Sequence, residues 1–264
     1  PRVAVSGRIV QNIEQSTPGA LQRRLFAIYK WGVVAPFLAL STCIIGSSVV
    51  LLSMAGMPDF ASRVLGTLWA KLNMAVSMIS IDIEGKEKVD PNQSYVIVAN
   101  HQSLVDIYVL YGYLGIDIKW VMKKELRAVP FLGIACEKMG HILIDRSDTG
   151  AALKSINKAR DKIANGISIV FFAEGTRSRN GELKKFKKGA FRMAQELGLP
   201  ILPVTIRNTR FVLPSDTMDL MPGRVKLVFN DPIPTTDFGP GDVAELTNRT
   251  REVIRHSLEG EEPI

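Results

Sequence analysis

The sequence predicts an α/β fold in which a mostly parallel central sheet is flanked by helices. Short apolar runs such as residues 95–99 and Ile167–Phe172 are typical of strands that are buried on both faces of a sheet. These runs alternate with segments of helical periodicity, and that alternation indicates parallel strands with helices packed on the sheet. The 264 residues suffice for one large domain, or for one domain with an appendage.

The N-terminal part of the chain precedes this alternating pattern. Residues 1–30 form a polar, basic segment, and residues 31–57 carry no charge and exceed the roughly 20 residues that a helix needs to cross a bilayer. Residues 60–79 predict an amphipathic helix after a break at Pro58 and Asp59. We expect residues 31–79 to form a membrane-associated helical hairpin. A single bilayer span and a buried core hairpin are the alternatives.

Residues 80–264 are expected to form the α/β domain. Strands are predicted at residues 81–84, 95–99, 118–122, Ile142–Ile144, Ile167–Phe172, 201–206 and 225–229. Helices are predicted at residues 103–113, 131–138, 149–165, Gly189–Leu197 and 242–258, with Ser103 as the N-cap of the first. Parallel sheets of this kind hold their ligands at the carboxyl ends of the strands, where we expect the functional site.

Composition limits the classes of partner and cofactor. The net charge of +7 favours an anionic partner such as a membrane surface or a phosphorylated substrate. Nucleic acid ranks last, because aromatic residues are only 7% of the chain and no nucleic-acid-binding motif is present. Cys43 and Cys136 have no motif spacing, which fits a reducing compartment without a structural disulfide. The three scattered histidines predict no zinc site.

His101 is the first candidate for chemistry. It follows Asn100 at the expected corner between strand 95–99 and the next helix. Asp106 lies five residues later, from where its carboxylate could reach one ring nitrogen, fix the tautomer and raise the basicity of the other nitrogen. A lone histidine in a loop is more often simply solvated, so the motif alone does not decide between the two interpretations.

A second candidate is a set of basic residues that follow other strands. Arg146 and Arg177 come after the strands Ile142–Ile144 and Ile167–Phe172, so both could converge beside His101. The planar fork of arginine suits a phosphate group, and Gly175 would let the backbone turn closely around such a ligand. A solvated basic face is the alternative interpretation of this region.

Four blocks together resemble the glycerolipid acyltransferases. The block from Asn100 to Asp106 resembles the His-x4-Asp motif of that family, and the block from Glu174 to Ser178 resembles its Glu-Gly-Thr-Arg motif. The segments 140–146 and 201–204 look like the remaining two blocks. Residues 123–126 and 130–133 are similar to a segment of the 1-acylglycerol-3-phosphate acyltransferases. Four blocks in this order are far more specific than any one of them.

The resemblance implies transfer of a fatty acyl group from acyl-CoA or acyl carrier protein to the sn-2 hydroxyl of lysophosphatidic acid. It implies that His101 is the general base and that Asp106 steadies its imidazolium. The expected phosphate-binding residues are Arg177, Arg146, Lys123, Lys124, Glu174, Gly175 and Thr176. No cofactor or metal is expected, and the enzyme is expected at the cytoplasmic face of the inner membrane.

Two other functions stay open at this point. The first is an acyltransferase with a different acceptor, such as a lyso-ornithine lipid or a lysophospholipid that carries a head group. The second is a non-catalytic membrane protein whose basic loop binds anionic lipid. A serine hydrolase is not favoured, because the chain lacks a Gly-x-Ser-x-Gly elbow. Nucleotide-binding enzymes are not favoured either, because the chain lacks Walker and dinucleotide-binding motifs.

Overall fold

A seven-stranded sheet forms the centre of the computed structural model, which describes residues 19–145, 163, 166–239 and 241–260. The spatial order of the strands is β1-β7-β6-β2-β5-β3-β4. Their bounds are β1 Ile79–Glu84, β2 Val96–Ala99, β3 Asp117–Lys123, β4 Ile142–Ile144, β5 Ile167–Phe172, β6 Ile201–Arg207 and β7 Gly223–Phe229. Each neighbouring pair is parallel except β6 and β7. The predicted α/β fold with a mostly parallel sheet is therefore confirmed.

Helices cover both faces of this sheet. Their bounds are α1 Ala20–Met54, α3 Val105–Tyr113, α4 Leu132–Lys138, α5 Gly189–Leu197, α6 Thr209–Val212 and α7 Val243–Glu259. The segment that we name α2 consists of Pro58–Phe60, the π-helical stretch Ala61–Gly66 and Thr67–Val76. Apolar residues of α2 and α3 pack on one face of the sheet, and those of α5 and α7 pack on the other. The central strands β2, β5 and β6 are consequently buried on both sides, as their apolar runs predicted, whereas the edge strand β1 is mostly exposed.

Some predicted boundaries are wrong by a few residues. The helix predicted at 60–79 ends at Val76, because Met78 adopts a positive φ of 56° and Ile79 already begins β1. The helix predicted at 103–113 begins at Val105, so its N-cap is Leu104 and not Ser103 as predicted. The Ser103 hydroxyl accepts a hydrogen bond from the Val105 amide at 3.1 Å. Except for residue 163, the helix predicted at 149–165 lies outside the described residues, as do residues 1–18 of the basic segment 1–30.

Helices α1 and α2 pack against each other through small and polar side chains. The Asn73 side-chain amide donates to the Ser41 hydroxyl at 3.2 Å, and the Trp69 indole donates to the Thr42 hydroxyl at 3.1 Å. The outer surfaces of both helices expose large apolar side chains: Leu40, Ile44, Leu51 and Met54 on α1, and Phe60, Val64, Leu68 and Leu72 on α2. Helix α1, with 35 residues, is long and apolar enough to anchor the chain to a membrane.

Candidate active site

The corner after β2 is fixed by the side chain of Asn100. Its amide group donates to the Ile206 carbonyl at 2.8 Å, and its carbonyl oxygen accepts from the Ile206 amide at the same distance. The side chain thus continues the β2–β6 ladder for one further position beyond Ala99. Because Asn100 is fully buried, this pairing also satisfies its polar atoms. The following residue, His101, is therefore held at the carboxyl edge of the sheet.

His101 and Asp106 are in direct contact. The Nδ1 atom of His101 lies 2.8 Å from Oδ2 of Asp106, whose side chain is fully buried, whereas the imidazole is 12% exposed. An ionised carboxylate can only accept a hydrogen bond, so Nδ1 carries the proton and Nε2 keeps its lone pair. The five-residue spacing predicted this contact, because it places Asp106 one turn into the structure that follows the corner. The arrangement can accept a proton at Nε2.

The Asp106 carboxylate is held by further donors. The backbone amides of Gln102 and Ser103 donate to Oδ2 at 2.7 and 2.8 Å, and the Thr209 hydroxyl donates to Oδ1. Together with the imidazole, these groups fix the direction of the carboxylate. Thr209 lies in α6 beyond β6 and belongs to none of the sequence motifs. No local pattern signals the contact, since it depends on β6 lying next to β2.

The plane of the imidazole is set by an aromatic stack. The rings of His101 and Phe172 have centroids 3.8 Å apart and planes that differ by 10°. Trp120 packs against Phe172 in turn, with a distance of 5.7 Å between the ring centroids. Phe172 is the last residue of β5, the strand beside β2. Stacking therefore limits rotation of the imidazole about χ2, while the contact with Asp106 fixes its direction.

Glu174 connects the loop after β5 to the His101 corner. One of its carboxylate oxygens accepts from the His101 backbone amide at 2.7 Å, and the other accepts from the Lys184 amide at 3.1 Å. Burial raises the pKa of this carboxyl, while the two amides favour the ionised form and oppose the shift. Both oxygens are occupied by amides of the protein, so Glu174 shapes the loop rather than facing an open anion site.

The loop after β5 lies beside the histidine and is covered by lysine side chains. Gly175 has a φ of 79°, and a Cβ at this position would lie 2.7 Å from Cε of Lys187. The Lys184 ammonium donates to the Thr176 hydroxyl at 3.1 Å and to the Arg177 carbonyl at 2.6 Å. The left-handed backbone conformation favours glycine here, whereas the overlying end of the Lys187 side chain could move aside.

Arg177 is oriented by an acid from another loop. Its Nη2 atom lies 3.1 Å from Oδ1 of Asp216, and Nε of Arg179 lies 2.7 Å from the other oxygen of the same carboxylate. The Arg177 side chain is 26% exposed, whereas that of Arg179 is 83% exposed. Arg177 was a candidate from its sequence motif, whereas no motif contains Asp216, which comes from the connection between β6 and β7.

The remaining predicted phosphate-binding residues lie at the end of β3 and beyond. Lys123 contacts Glu125 at 3.2 Å, and Lys124 forms an ion pair with Asp145. Both lysine side chains are 54% exposed, and β3 is separated from β2 by β5. Arg146 lies outside the described residues. The structure thus brings the loop 174–177 directly to His101, while Lys123 and Lys124 belong to the same edge of the sheet two strands away.

His141, in contrast, belongs to the interior of the protein. Its Nε2 lies 3.2 Å from the Tyr111 hydroxyl, and its Nδ1 accepts from the Trp120 amide at 3.4 Å. Burial, assisted by the charge of Lys119, lowers the pKa of His141 to about 3. Within the described ranges, no group of three or more His, Cys, Asp or Glu residues is arranged to hold a metal ion.

Comparisons with known proteins identify similar chains. Residues 80–207 match a family model described as Acyltransferase. A 1-acyl-sn-glycerol-3-phosphate acyltransferase of Pseudomonas aeruginosa is 31% identical over 194 residues, which are 73% of this chain and 74% of the relative. A chloroplastic enzyme of the same name from Arabidopsis thaliana is 32% identical over 240 residues, which are 90% of this chain and 65% of the relative.

One curated relative is much longer than the region that it shares with this chain, whereas a similar solved structure is matched over nearly its whole length. A 1-acyl-sn-glycerol-3-phosphate acyltransferase of Chlamydomonas reinhardtii is 33% identical over 75% of this chain, and the match spans 58% of that relative. The crystal structure of the LPA acyltransferase PlsC from Thermotoga maritima has a TM-score of 0.75 and 25% identity. The superposition covers 91% of this chain and 96% of the other.

Proposed function

The chain belongs to the acyltransferase family, and on this basis we propose that it makes phosphatidic acid. In the proposed reaction, a fatty acyl group passes from an acyl thioester to the sn-2 hydroxyl of 1-acylglycerol-3-phosphate. The observation that carries the proposal is the 2.8 Å contact between His101 Nδ1 and the buried carboxylate of Asp106. This contact leaves Nε2 as a base at the carboxyl edge of the sheet.

The proposed chemistry requires one proton to move twice. A hydroxyl is a poor nucleophile at neutral pH, so Nε2 of His101 takes its proton as the oxygen attacks the thioester carbonyl. The new ester bond forms, the carbon–sulfur bond breaks, and the imidazolium returns the proton to the departing thiolate. Asp106 stabilises the imidazolium while it exists. General-base catalysis of this kind typically contributes a factor of about 10²–10⁴ in rate.

The acceptor is proposed to bind through its phosphate. Arg177 is the principal ligand in this proposal, with Arg146, Lys123 and Lys124 as further cations. Support comes from the position of the loop after β5, where the Ser178 amide donates to the His101 carbonyl at 2.7 Å. A phosphate held on this loop would orient the acceptor hydroxyl towards Nε2, and orientation is a large part of catalysis. Gly175 and Thr176 would shape the loop around the phosphate.

The hairpin of α1 and α2 is proposed to hold the α/β domain, residues 80–264, on the cytoplasmic leaflet without crossing it. Helix α1 contacts that domain at two distant points: the Lys30 ammonium donates to the Met218 carbonyl at 2.7 Å, and Gly46 packs against Phe131. At about 1.5 Å per residue these points are roughly 24 Å apart along the helix. A helix docked along that length runs beside the domain, which supports monotopic binding over a span.

No cofactor enters this proposal. The steps are a nucleophilic attack and proton transfers, which an imidazole and its carboxylate partner can carry. Acyl-CoA or acyl carrier protein would be the co-substrate, and the net charge of +7 suits either anionic donor and an anionic membrane surface.

An acyl-transfer assay tests the proposal. The purified full chain is given labelled acyl-CoA or acyl carrier protein with lysophosphatidic acid, a lyso-ornithine lipid or a lysophospholipid with a head group. We expect transfer to lysophosphatidic acid, and we expect His101→Ala to lower the rate at least about 10²-fold. The matched control is His256→Ala on α7, which should keep the wild-type rate.

Each other outcome has a definite meaning. Transfer to a different lysolipid alone would replace the acceptor in the proposal. A folded wild-type chain that transfers to no acceptor would favour the non-catalytic anionic-lipid-binding protein. Retention of more than about a tenth of the activity in folded His101→Ala would remove the general base from the mechanism.

A further inference from the structure

The connection between β6 and β7, residues 208–222, forms one wall of the candidate active site. We refer to it as the β6–β7 loop. Thr209 at its start donates to the carboxylate of the catalytic pair. In its middle, the Leu213 carbonyl accepts from the Ser103 hydroxyl at 2.7 Å, and further on the Met218 carbonyl accepts from the Lys30 ammonium at 2.7 Å. These contacts fasten the loop to α3 and to α1.

Asp216 lies in a tight turn of this loop. The Thr217 amide donates to the Pro214 carbonyl at 3.3 Å, and the Thr217 hydroxyl donates to the same carbonyl at 3.0 Å. Asp216 itself has a φ of 62°, a left-handed conformation that aspartate and asparagine adopt more readily than other residues with side chains. The turn is consequently built to present this carboxylate in one direction.

The Asp216 carboxylate holds two arginines at once. One oxygen contacts Nη2 of Arg177 at 3.1 Å and the other contacts Nε of Arg179 at 2.7 Å. Two guanidinium charges and one carboxylate charge leave a net charge of +1, so the group still attracts an anion. A guanidinium has five N–H donors, and a single contact with Asp216 leaves others for a second anion.

We propose that Asp216 is a positioning residue for acceptor recognition, because it holds the Arg177 guanidinium in the orientation that receives the acceptor phosphate while Arg179 offsets its charge. This inference rests on the proposed function, in which Arg177 binds phosphate. A long side chain that is already ordered loses less freedom on binding, so the ligand is bound more tightly. An ion pair between partly exposed groups adds little to folding stability, so the effect belongs to binding.

The test is the variant Asp216→Asn, which keeps the tolerance for a left-handed backbone but removes the charge. We expect KM for lysophosphatidic acid to rise about three- to tenfold, the effect of one side chain that must be ordered on binding. KM for the acyl donor, kcat and the thermal midpoint should stay at wild-type values. The matched control is Asp231→Asn. Asp231 follows β7 and forms an ion pair with Lys88 at the surface, so its replacement should change none of these quantities.

Direct binding separates this inference from the proposed function. Titration calorimetry with glycerol 3-phosphate on the full chain should show the same loss of affinity in Asp216→Asn. If the wild type binds glycerol 3-phosphate but acylates no lysophosphatidic acid, the proposed function fails while the comparison of binding still tests Asp216. Absence of binding by the wild type, or unchanged binding and KM in the variant, overturns the inference.

Two further outcomes would also overturn it. A lower KM for lysophosphatidic acid in Asp216→Asn would show that the carboxylate competes with the phosphate instead of preparing its site. Asp216→Asn should also add nothing to the loss caused by Arg177→Ala, because a positioning residue acts through its partner. An additional loss in the double variant would show that Asp216 acts independently of Arg177.

Discussion

At the level of single residues, the carboxylate of Asp106 is the most completely bonded group of the candidate active site. An imidazole, two backbone amides and the Thr209 hydroxyl all donate to it. A general base paired with a carboxylate works best when that carboxylate cannot rotate away, and these donors prevent rotation. The hydroxyl of Thr209 is the one donor among them that can be removed without touching the histidine motif.

We therefore expect Thr209→Val to lower kcat, while KM for both substrates changes little. Valine matches the shape of threonine but leaves one oxygen of a buried carboxylate without its donor. The lost hydrogen bond lowers the free energy of unfolding by about 1–3 kcal/mol and also lets the carboxylate turn away from His101. Thr209→Ser, which keeps the hydroxyl, is the control and should retain most of the wild-type kcat. Steady-state kinetics on folded proteins checks this, and equal kcat values in the two variants would contradict it.

The second residue-scale prediction concerns His141 and acid stability. Burial lowers the pKa of His141 to about 3 in the folded state, below its ordinary value of 6.5. Between these two values the unfolded chain binds a proton that the folded chain does not, so stability is lost as the pH falls below about 6.5. In that range the free energy of unfolding falls by up to about 1.4 kcal/mol for each unit by which the pH is lowered.

The variant His141→Gln removes this proton uptake. Its stability at neutral pH should be lower, because the contacts with Tyr111 and the Trp120 amide are disturbed. Its thermal midpoint should nevertheless decline less than that of the wild type between pH 7 and pH 5. Parallel declines in the two proteins would show that another group dominates the acid response.

At the level of elements, the contact between α2 and α3 shows what joins the hairpin to the α/β domain. A Cβ on Gly66 would lie 2.2 Å from Cε1 of Tyr111, and the Tyr111 hydroxyl lies 2.9 Å from the Ser62 hydroxyl. The Tyr111 ring therefore occupies the space that a side chain at residue 66 would need. Desolvation raises the pKa of the Tyr111 phenol, which is consistent with a closed interface.

Gly66→Ala should accordingly destabilise the protein by about 1–3 kcal/mol, the usual cost of overpacking a closed interface. The control is Gly32→Ala in α1, where a Cβ meets nothing within 4 Å. In that position alanine should be neutral or stabilise by up to about 1 kcal/mol, because alanine is the better helix former. Thermal unfolding of both variants decides the matter, and equal midpoints would refute the packing argument.

The sequence predicted elements better than it predicted contacts between them. Apolar runs and helical periodicity are local properties, so the strands of the sheet and the corner at His101 could be recognised. The partners Thr209 and Asp216 could not, because they reach the site only through the strand order that places β6 beside β2. The contact between His101 and Asp106 could be predicted because the two residues are only five positions apart in the sequence.

At the level of the whole molecule, the sheet gathers its chemistry at one edge. Strands β6, β2, β5, β3 and β4 run in the same direction, so their carboxyl ends meet there. After β2 the chain forms β3, β4 and β5 on one side of that strand, and it then crosses to β6 on the other side. This reversal makes β2 a topological switch point. The His101 corner lies at that point, and the β6–β7 loop next to it also contacts α1. The proposed membrane anchor therefore contacts a loop that lies beside the candidate active site.

This arrangement predicts that both ends of the hairpin lie on the same side of the membrane as the α/β domain. Cysteines are placed singly at Gly19, an exposed residue just before α1, and at Glu87, an exposed residue just after β1, in a Cys43→Ala, Cys136→Ala background. An impermeant thiol reagent is then applied to intact spheroplasts. We expect neither site to be labelled until the cells are lysed, after which both should react.

The physical reason lies in charge and docking together. Cationic groups flank the apolar run on both sides, with Arg23, Arg24 and Lys30 before it and Arg63 and Lys71 after it, and such groups favour the cytoplasmic face. A bilayer span would also require α1 to leave the domain that it contacts at both Lys30 and Gly46. The cysteine-free background should show no labelling and full activity. Labelling of the Gly19 site before lysis, with the Glu87 site protected, would establish a transmembrane span and exclude the monotopic hairpin.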